Sequence, residues 1–235
     1  RFKAWWQRTG ATCFAKPVKC RPERCRLNLM DTQNIMLKIK GSRKLTAEKW
    51  LNLFEVRYIA RTGDEKSWQM ASRQNEPKCL TGGYHKPDAV VIVPFHTVKD
   101  KMVIIREYRV PLDGYEYGFP AGLVDNGESV EQAARRELME ETGLTASRFI
   151  KISPPIYSSA GMTDESVSMV YVECEGEPSN SANTDSELIE ILFISPDEAL
   201  DLLNDTTLKF DAKAWLAISQ FAENDAHDKP KFNRR

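Results

Sequence analysis

The sequence lacks a long hydrophobic run and a strong charge of either sign. Nowhere in its 235 residues do about eighteen apolar residues follow one another, the approximate minimum for a membrane-spanning helix. The 33 Lys and Arg residues nearly balance the 34 Asp and Glu residues, and the formal net charge is -1. The composition therefore predicts no membrane segment and no general electrostatic attraction to nucleic acid or anionic lipid.

Cysteine is scarce and is not arranged as a metal or disulfide framework. The five cysteines include no CxxC pair, and Cys13, Cys20 and Cys25 lie in the first thirty residues without a nearby histidine. That arrangement fits a zinc cluster poorly, since structural zinc sites need closely spaced Cys and His ligands. We therefore predict reduced thiols and a cytoplasmic location.

The first thirty residues differ from the rest of the chain by their positive charge. They carry eight Lys or Arg residues against the single acid Glu23. A nucleic-acid arm, a transit-like peptide and upstream sequence outside the native product all remain open. We interpret residues 1–35 as a disordered basic extension, with the globular protein beginning near Met30 or Met36, and residues 226–235 as a disordered tail.

Residues 36–82 have the pattern of a small antiparallel β-sheet. The alternating segment MLKIKGSRKL precedes two strand-like runs that meet in a turn around Gly63 and predict a hairpin. So small a sheet cannot bury both of its faces by itself. We interpret Phe54 and Trp68 as core or interface aromatics, with stacking on a nucleotide base as the lesser alternative.

Two continuous apolar runs predict strands of a buried central sheet, Ala89 to Phe95 and Met102 to Tyr108. His96 follows the first run and is interpreted as a surface residue rather than a ligand.

Near the other end of the chain, an amphipathic pattern predicts a last helix whose Trp215 and Ile218 pack inward.

Acidic side chains are concentrated on one predicted helix within the segment Gly122 to Leu144. Glu137, Glu140 and Glu141 lie three and four residues apart beside Arg136, so that a helix brings them to one face. Like charges at that spacing repel, whereas Mg²⁺ or Mn²⁺ prefers a set of oxygen ligands. The cluster therefore predicts a metal site, and a solvated acidic face is the alternative.

The ends of this helix are marked in the sequence. Ser129 and Gln132 have the spacing of a capping box, and Gly143 stands where a left-handed residue would end the helix. Apolar residues recur every four positions up to Ala134 and Leu138, which predicts a stripe that is buried against the sheet.

The segment resembles the signature of the Nudix hydrolases at every fixed position. That signature reads Gly, five residues, Glu, seven residues, Arg-Glu, an aliphatic residue, any residue, Glu-Glu, any residue, Gly and an aliphatic residue. The chain matches it at Gly122, Glu128, Arg136, Glu137, Leu138, Glu140, Glu141, Gly143 and Leu144. The resemblance implies an α/β/α sandwich with a mixed sheet over residues 83–225, in addition to the small N-terminal β subdomain, and hydrolysis of a nucleoside diphosphate derivative.

The resemblance also implies how the signature residues act. Arg136 would orient a glutamate through a charge-assisted hydrogen bond, and it belongs with Glu140 among the catalytic residues. A Mg²⁺ or Mn²⁺ cofactor would be held by Glu137 and Glu141 as principal ligands, by Glu140 and Glu128 in support, and by the backbone carbonyl of Ala121.

Flanking residues extend the likeness to the ADP-ribose pyrophosphatases of this family. By that likeness, Arg109 would contact the phosphates or ribose of the substrate. Many of these relatives have a glutamate where this chain has Gly118, and Glu116 lies two positions earlier on the same face of a strand. Glu116 is therefore a second substrate-binding candidate, and the arrangement is similar to a broader branch that hydrolyses several ADP compounds.

A glycine-flanked loop downstream supplies a further acid. By its likeness to the corresponding loop of ADP-ribose pyrophosphatases, Glu165 is the candidate general base, and its neighbour Asp164 is the competitor. An exposed loop acid without a role is the alternative. These relatives form homodimers through an N-terminal sheet, so the resemblance also implies a homodimer in which neighbouring subunits complete the substrate site.

The resemblance as a whole predicts Mg²⁺-dependent cleavage of ADP-ribose or a related ADP-linked compound to AMP and a phosphorylated product. The expected partner is a small nucleoside diphosphate derivative rather than a membrane or a nucleic acid. NADH, a dinucleoside polyphosphate and a nucleotide sugar remain alternative substrates. A non-enzymatic nucleotide-sensing module and an RNA-decapping enzyme are alternatives of other classes, and the intact signature argues against the sensing module.

Overall fold

The computed structural model describes residues 37–179 and 188–226, which divide into two compact units. The smaller unit contains residues 37–86 and 159–165. The larger unit contains residues 87–158, 166–179 and 188–226. The prediction for residues 1–35 lies outside the described residues, and so does the predicted tail beyond residue 226.

Three antiparallel strands form the sheet of the smaller unit: β1 (Lys38–Lys44), β2 (Asn52–Ile59) and β3 (Glu65–Ser72), in that order. The turn between β2 and β3 is closed by hydrogen bonds from Ala60 N to Asp64 O at 2.8 Å and from Gly63 N to Ala60 O at 2.9 Å. The predicted hairpin is therefore confirmed. A short helix, α1 (Lys78–Thr81), follows the sheet.

The alternation of β2 gives this sheet one buried face. Phe54 and Val56 are 2% and 4% exposed, whereas the neighbouring Leu53 is 49% exposed, since successive strand side chains point to opposite faces. Trp68 lies opposite Val56 on β3 and remains 52% exposed. Its indole N–H donates to the Gly161 carbonyl at 3.1 Å. Phe54 is thus a core residue, and Trp68 is fixed by a hydrogen bond rather than by burial.

The larger unit is built on a mixed sheet. Its strands are β4 (Ala89–His96), β5 (Lys101–Arg109), β6 (Gly114–Gly118), β7 (Ala121–Leu123), β8 (Thr145–Ile152), β9 (Ile156–Tyr157), β10 (Ser166–Glu175) and β11 (Ile189–Ile194). The main path runs β11-β5-β4-β10-β8, and β6, β7 and β9 pair with β5, β4 and β10, respectively. β4 and β10 are parallel, and the other pairs among these eight strands are antiparallel.

Helices cover both faces of this sheet: α2 (Val130–Thr142), α3 (Pro196–Asn204) and α4 (Ala212–Ala226). Val90 and Ile92 of β4 are fully buried in one core cluster with Leu138 of α2. Phe95, on the opposite face of β4, packs against Phe221 of α4 with ring centroids 6.0 Å apart. The predicted α/β/α sandwich is therefore confirmed. None of the helices within residues 37–179 and 188–226 is long and apolar enough to cross a membrane.

Two predictions about single side chains are wrong. His96, expected at the surface, is only 3% exposed, and its Nε2 lies 2.9 Å from the Gly176 carbonyl oxygen. Trp215, expected to pack inward, is 46% exposed. The reason is that the buried stripe of α4 passes beside Trp215, through Ala214, Ala217, Ile218, Phe221 and Ala222. The inward position of Ile218 is as predicted.

Candidate active site

α2 holds the acidic cluster at a fixed place on the sheet. The helix begins after Ser129, whose hydroxyl accepts from Gln132 N at 3.2 Å while the Gln132 side chain accepts from Ser129 N at 2.8 Å. Gly143 ends it with a φ of 70°, a left-handed conformation that glycine adopts readily. Ala134 and Leu138 are buried beneath it. The predicted caps and apolar stripe are confirmed.

Arg136 gathers the carboxylates around one guanidinium group. Its Nε and Nη2 form a fork with the two oxygens of Glu128 at 3.1 and 3.0 Å. Its Nη1 donates to Glu137 at 2.6 Å and to Glu140 at 3.2 Å, and Nη2 also donates to the Leu123 carbonyl at 2.9 Å. The hydrogen bonds to Glu128 and Glu137 raise the pKa of Arg136, which outweighs the opposing effect of its burial. The guanidinium therefore remains charged and links three acidic side chains.

Glu137 lies directly against the backbone of Gly122. A Cβ placed on Gly122 would come within 1.9 Å of Glu137 Oε1, so that only glycine leaves room for this carboxylate. Glu137 is 9% exposed. Burial raises the pKa of its carboxyl group, Arg136 lowers it, and the nearby Glu140 and Glu128 raise it further. The net increase means that the protein alone disfavours the charged form of this carboxylate, and a bound cation would favour that form.

Glu141 lies one helical turn after Glu137 and is equally buried. Its Oε2 accepts the backbone N–H of Ala121 at 3.1 Å, which links α2 to β7. Glu140, in contrast, has a side chain that is 51% exposed. The structure thus brings Ala121 and the signature glutamates together, with Glu137 and Glu141 on the inner side of α2 and Glu140 towards solvent.

The chemistry of this cluster fits a hard divalent cation. Carboxylate and carbonyl oxygens are the ligands that Mg²⁺ and Mn²⁺ prefer. In the described ranges 37–179 and 188–226, however, no group of three His, Cys, Asp or Glu side chains already converges as a cage. Arg136 holds oxygens of Glu128, Glu137 and Glu140, and Glu141 bonds to a backbone N–H, so these carboxylates point to protein donors.

A second cluster of charged residues lies on β5 and β6. Arg109 Nη1 is 2.8 Å from Glu107 Oε1, and Arg109 Nε is 3.5 Å from Glu116 Oε2. Glu107 and Glu116 are direct partners across the two strands, so all three side chains share one face. The two predicted substrate residues, Arg109 and Glu116, are therefore together. Glu107 was not predicted, although its position two residues before Arg109 places it on the same face.

Gly118 leaves open space at the end of β6. A Cβ added to Gly118 would meet no atom within 4 Å. The neighbouring backbone is well fixed, because Tyr117 N donates to Lys209 O at 2.8 Å and Asp211 N donates to Tyr117 O at 3.0 Å. Packing therefore does not require glycine at position 118, and the position has room for a larger side chain.

The predicted general base lies in the smaller unit, whereas α2 belongs to the larger one. Glu165 Oε2 forms an ion pair with Arg73 Nε, and Glu165 N donates to Thr163 Oγ1 at 3.1 Å. Its competitor Asp164 is engaged differently, since Asp164 Oδ2 accepts the backbone N–H of Lys78 at 2.7 Å. Sequence reasoning missed Arg73, which stands 92 positions from Glu165 and carries no local signal of this contact.

The protein has an α/β-sandwich fold, and Arg136 links acidic side chains of one loop and of α2. Together these features are those of an α/β-sandwich hydrolase. The family model of the NUDIX domain matches residues 85–221, and the chain therefore belongs to the Nudix family. The resemblance in the signature segment is thus confirmed. Hydrolases of this family generally use divalent metal ions.

The chain is also similar to individual proteins of this family. The chain is 31% identical over 164 residues to the ADP-ribose pyrophosphatase of Saccharomyces cerevisiae, which covers 66% of this chain and 69% of the yeast protein. It is 27% identical over 204 residues to the ADP-sugar pyrophosphatase of Mus musculus, which covers 79% of this chain and 90% of the mouse protein. A crystal structure of ADP compounds hydrolase shares the fold, with a TM-score of 0.59 and 24% identity over 82% of this chain and 95% of that chain.

Proposed function

We propose that this protein hydrolyses the diphosphate bond of ADP-ribose or a related ADP-linked compound, giving AMP and a phosphorylated product. The observation that carries the proposal is the buried pair Glu137 and Glu141 beside Arg136, within a Nudix signature that departs from the family at no fixed position. The names of the yeast and mouse relatives supply the substrate class. Cys79 and Cys174 are free thiols, which agrees with the cytoplasmic location included in the proposal.

In this proposal the cofactor is Mg²⁺ or Mn²⁺. Its ligands are the carboxylates of Glu137 and Glu141 and the carbonyl of Ala121, with Glu140 and Glu128 in support. The cation supplies positive charge against the diphosphate and lowers the pKa of bound water. The buried position of Glu137, whose pKa is raised by that burial, supports this assignment because ionised glutamate there lacks full solvation.

The side chains of the protein supply the remaining roles. Arg136 holds the signature glutamates through charge-assisted hydrogen bonds, and Arg109 binds phosphate or ribose oxygens with its planar fork. Glu116 accepts hydrogen bonds from the substrate. Glu165 takes the proton of the attacking water, which a carboxylate within hydrogen-bond reach is able to do. Asp164 remains the competitor, since each acid has one oxygen bonded to a protein donor, Asp164 Oδ2 to Lys78 N and Glu165 Oε2 to Arg73 Nε. The likeness of the loop to that of the ADP-ribose pyrophosphatases favours Glu165.

A second candidate function concerns the group attached to ADP. Gly118 stands where many ADP-ribose pyrophosphatases have glutamate, and the space beside its Cα is open. Without that carboxylate, the site is expected to discriminate less between ADP-ribose and other ADP-linked compounds, such as an ADP-sugar or NADH. Dinucleoside polyphosphates and other nucleotide sugars are tested as further substrates.

The decisive experiment is a substrate panel incubated with the full chain and Mg²⁺, followed by chromatographic separation of the products. AMP and ribose 5-phosphate from ADP-ribose, at the highest kcat/KM of the panel, support the first proposal. A higher kcat/KM for another ADP compound supports the second candidate. Absence of product from every diphosphate with both Mg²⁺ and Mn²⁺, together with tight nucleotide binding, would indicate a sensing module. Product from capped RNA alone would indicate decapping.

We propose in addition that the smaller unit mediates a homodimer. It exposes Trp50 and Leu51, just before β2, and Leu53 of β2 to 65%, 45% and 49%, which is a large amount of apolar surface for one small unit. Light scattering after size-exclusion chromatography should give twice the chain mass for the native protein, and Leu53→Glu should give the monomer mass. Val98→Glu, at an 82% exposed turn position of the larger unit, is the matched control. A monomer for the native chain would contradict the proposal.

A further inference from the structure

The 159–165 loop runs alongside β3 within the smaller unit. The Trp68 indole N–H donates to Gly161 O at 3.1 Å, and Ala71 N donates to Met162 O at 2.8 Å. Ala71 also forms a parallel β-bridge with Thr163. These contacts occur in the same order along both segments, so the loop runs parallel to β3 and is held against it by hydrogen bonds.

Arg73 extends this series of contacts by one side chain. It follows Ser72, a fully buried residue at the end of β3 that pairs with Asn52 of β2. The Ser72 hydroxyl accepts from Gln74 N at 3.1 Å, which fixes the backbone on the far side of Arg73. Because the backbone on both sides of Arg73 is fixed, its guanidinium can occupy only a limited region. Within that region it forms an ion pair with the carboxylate of Glu165.

The two acids of the loop have different hydrogen-bond donors. Asp164 Oδ2 accepts the backbone N–H of Lys78, at the start of α1, at 2.7 Å. Glu165 receives a side-chain donor instead, and Arg73 Nε contacts its Oε2. Glu165 Oε1 makes no hydrogen bond to another residue of the described ranges, and its side chain is 27% exposed. One oxygen of Glu165 is thus held by Arg73, and the side chain as a whole remains partly accessible.

We propose that Arg73 is a positioning residue for the general base, acting through Glu165 rather than on the substrate. The inference rests on the proposed function, in which Glu165 accepts the proton of the attacking water. Arg73 holds Oε2 and keeps the side chain in one rotamer, which leaves Oε1 oriented for proton transfer. A misplaced base lowers the rate of the chemical step more than substrate affinity, since orientation matters most in the transition state.

The test is a kinetic double-mutant cycle with the full chain and the best substrate of the panel. Arg73→Ala should lower kcat about 10- to 100-fold, less than the roughly 10²- to 10⁴-fold that a positioned base contributes, because the base itself remains, and KM should change by less than about twofold. Arg73→Lys should recover part of kcat, because an ammonium also donates to Oε2. In the Glu165→Gln background, Arg73→Ala should have no further effect, since the group through which it acts is already lost. Arg57→Ala is the control, because Arg57 makes an exposed ion pair with Glu65 in the same sheet.

Hydrogen exchange of the backbone amides at 162–165 provides a readout that does not require activity. Arg73→Ala should accelerate that exchange, and Arg57→Ala should not. The proposal is overturned if Arg73→Ala leaves the exchange unchanged. It is also overturned if Arg73→Ala lowers kcat equally with and without Glu165. A rise in KM that persists in the Glu165→Gln background would overturn it by indicating that Arg73 contacts the substrate directly. Full activity of Glu165→Gln would also overturn it while leaving the hydrolase function intact. Lack of activity in the native chain would instead contradict the proposed function, and the exchange data would still decide whether Arg73 holds the loop.

Discussion

Glu137 and Gly122 are in such close contact that a single methyl group cannot fit between them. A Cβ with ideal geometry on Gly122 would lie 1.9 Å from Oε1, 2.0 Å from Cδ and 2.4 Å from Oε2 of Glu137. Atoms at these distances overlap strongly, and the obstacle is the carboxylate itself. The glycine that opens the Nudix signature is therefore needed to leave room for an acid fifteen positions later in the chain.

Replacing Gly122 by alanine should displace the Glu137 carboxylate. We expect Gly122→Ala to lower kcat/KM at least about 100-fold, as expected when a group at the reaction centre moves by about 1 Å. We also expect it to raise the Mg²⁺ concentration needed for half-maximal activity, which a metal titration of initial rates measures. Gly83→Ala is the control, because its Cβ would meet no atom closer than 3.7 Å. Equal metal dependence of native enzyme and Gly122→Ala would show that Glu137 does not hold the cation.

Glu141→Gln should remove most activity without unfolding the protein. The amide has almost the same shape, and its carbonyl oxygen can still accept from Ala121 N, the bond that Glu141 makes at 3.1 Å. The substitution removes one negative charge from the metal site and replaces the other carboxylate oxygen by an NH₂ donor, which cannot bind Mg²⁺, so turnover should fall by orders of magnitude. Steady-state rates and thermal melts measure the two effects. Glu131→Gln, at an exposed first-turn position of the same helix, is the matched control, and an unchanged rate for Glu141→Gln would refute the metal assignment.

The helix of the acidic cluster was predictable because its signals are local. Its capping residues Ser129 and Gln132 are three positions apart, and Gly143 terminates it, so the segment carries the information for its own boundaries. The contact of Arg73 was not predictable in the same way, because Arg73 reaches a residue 92 positions away. Glu107 had a local signal, its position two residues before Arg109 on one strand, whereas Glu116 is brought to the same cluster by the pairing of β5 with β6.

The two wrong predictions have different physical origins. His96 is covered by Phe193 and the Gly176 carbonyl, which come from distant segments that no local pattern reveals. For Trp215 the correct signal is present in the sequence, because the spacing of Ala214, Ile218 and Phe221 defines a complete apolar stripe one position away. The periodicity of these neighbours, rather than the size of the aromatic side chain, decides which face of α4 is buried.

Mg²⁺ should stabilise the native fold, and Glu137→Gln should abolish that effect. A ligand that binds only the folded state adds about 2.7 kcal/mol at 100 times its Kd, so the native protein should melt at a higher temperature with Mg²⁺ than with a chelator. Glu137→Gln should melt at one temperature under both conditions. Without metal it should melt no lower than the native chain, because the net increase in the pKa of Glu137 shows that burial disfavours the charged carboxylate. An undiminished Mg²⁺ shift in Glu137→Gln would contradict this role.

The start of α3 should show a pH-dependent contribution from Glu198. Its hydrogen bond with Lys101 at 2.8 Å, followed by its bonds to Ser195, lowers the pKa of Glu198 to about 2 from 4.5. A lowered pKa means that the stabilisation is present above about pH 4.5 and is lost as the pH falls towards about 2. The site is exposed, so Glu198→Gln should cost only about 0.2–1 kcal/mol at pH 7. Urea denaturation at pH 7 and pH 3 measures this, and a difference that grows towards acid would contradict the assignment.

Introducing a glutamate at position 118 should shift specificity towards ADP-ribose. The space beside Gly118 is open, and a new carboxylate there would lie two positions after Glu116 on the same face of β6, opposite Ile105 of β5. A hydrogen bond from a substrate hydroxyl to a charged group contributes about 1.5–3 kcal/mol, which corresponds to roughly a 10- to 100-fold change in relative kcat/KM. We therefore expect the ratio of kcat/KM for ADP-ribose over NADH to rise by at least about tenfold in Gly118→Glu. Gly118→Gln separates the effect of charge from that of size, and Gly118→Ala shows whether filling the space matters at all. If the ratio stays constant in all three variants, position 118 does not set the choice among ADP compounds, and Glu107 and Glu116 become the residues that must account for it.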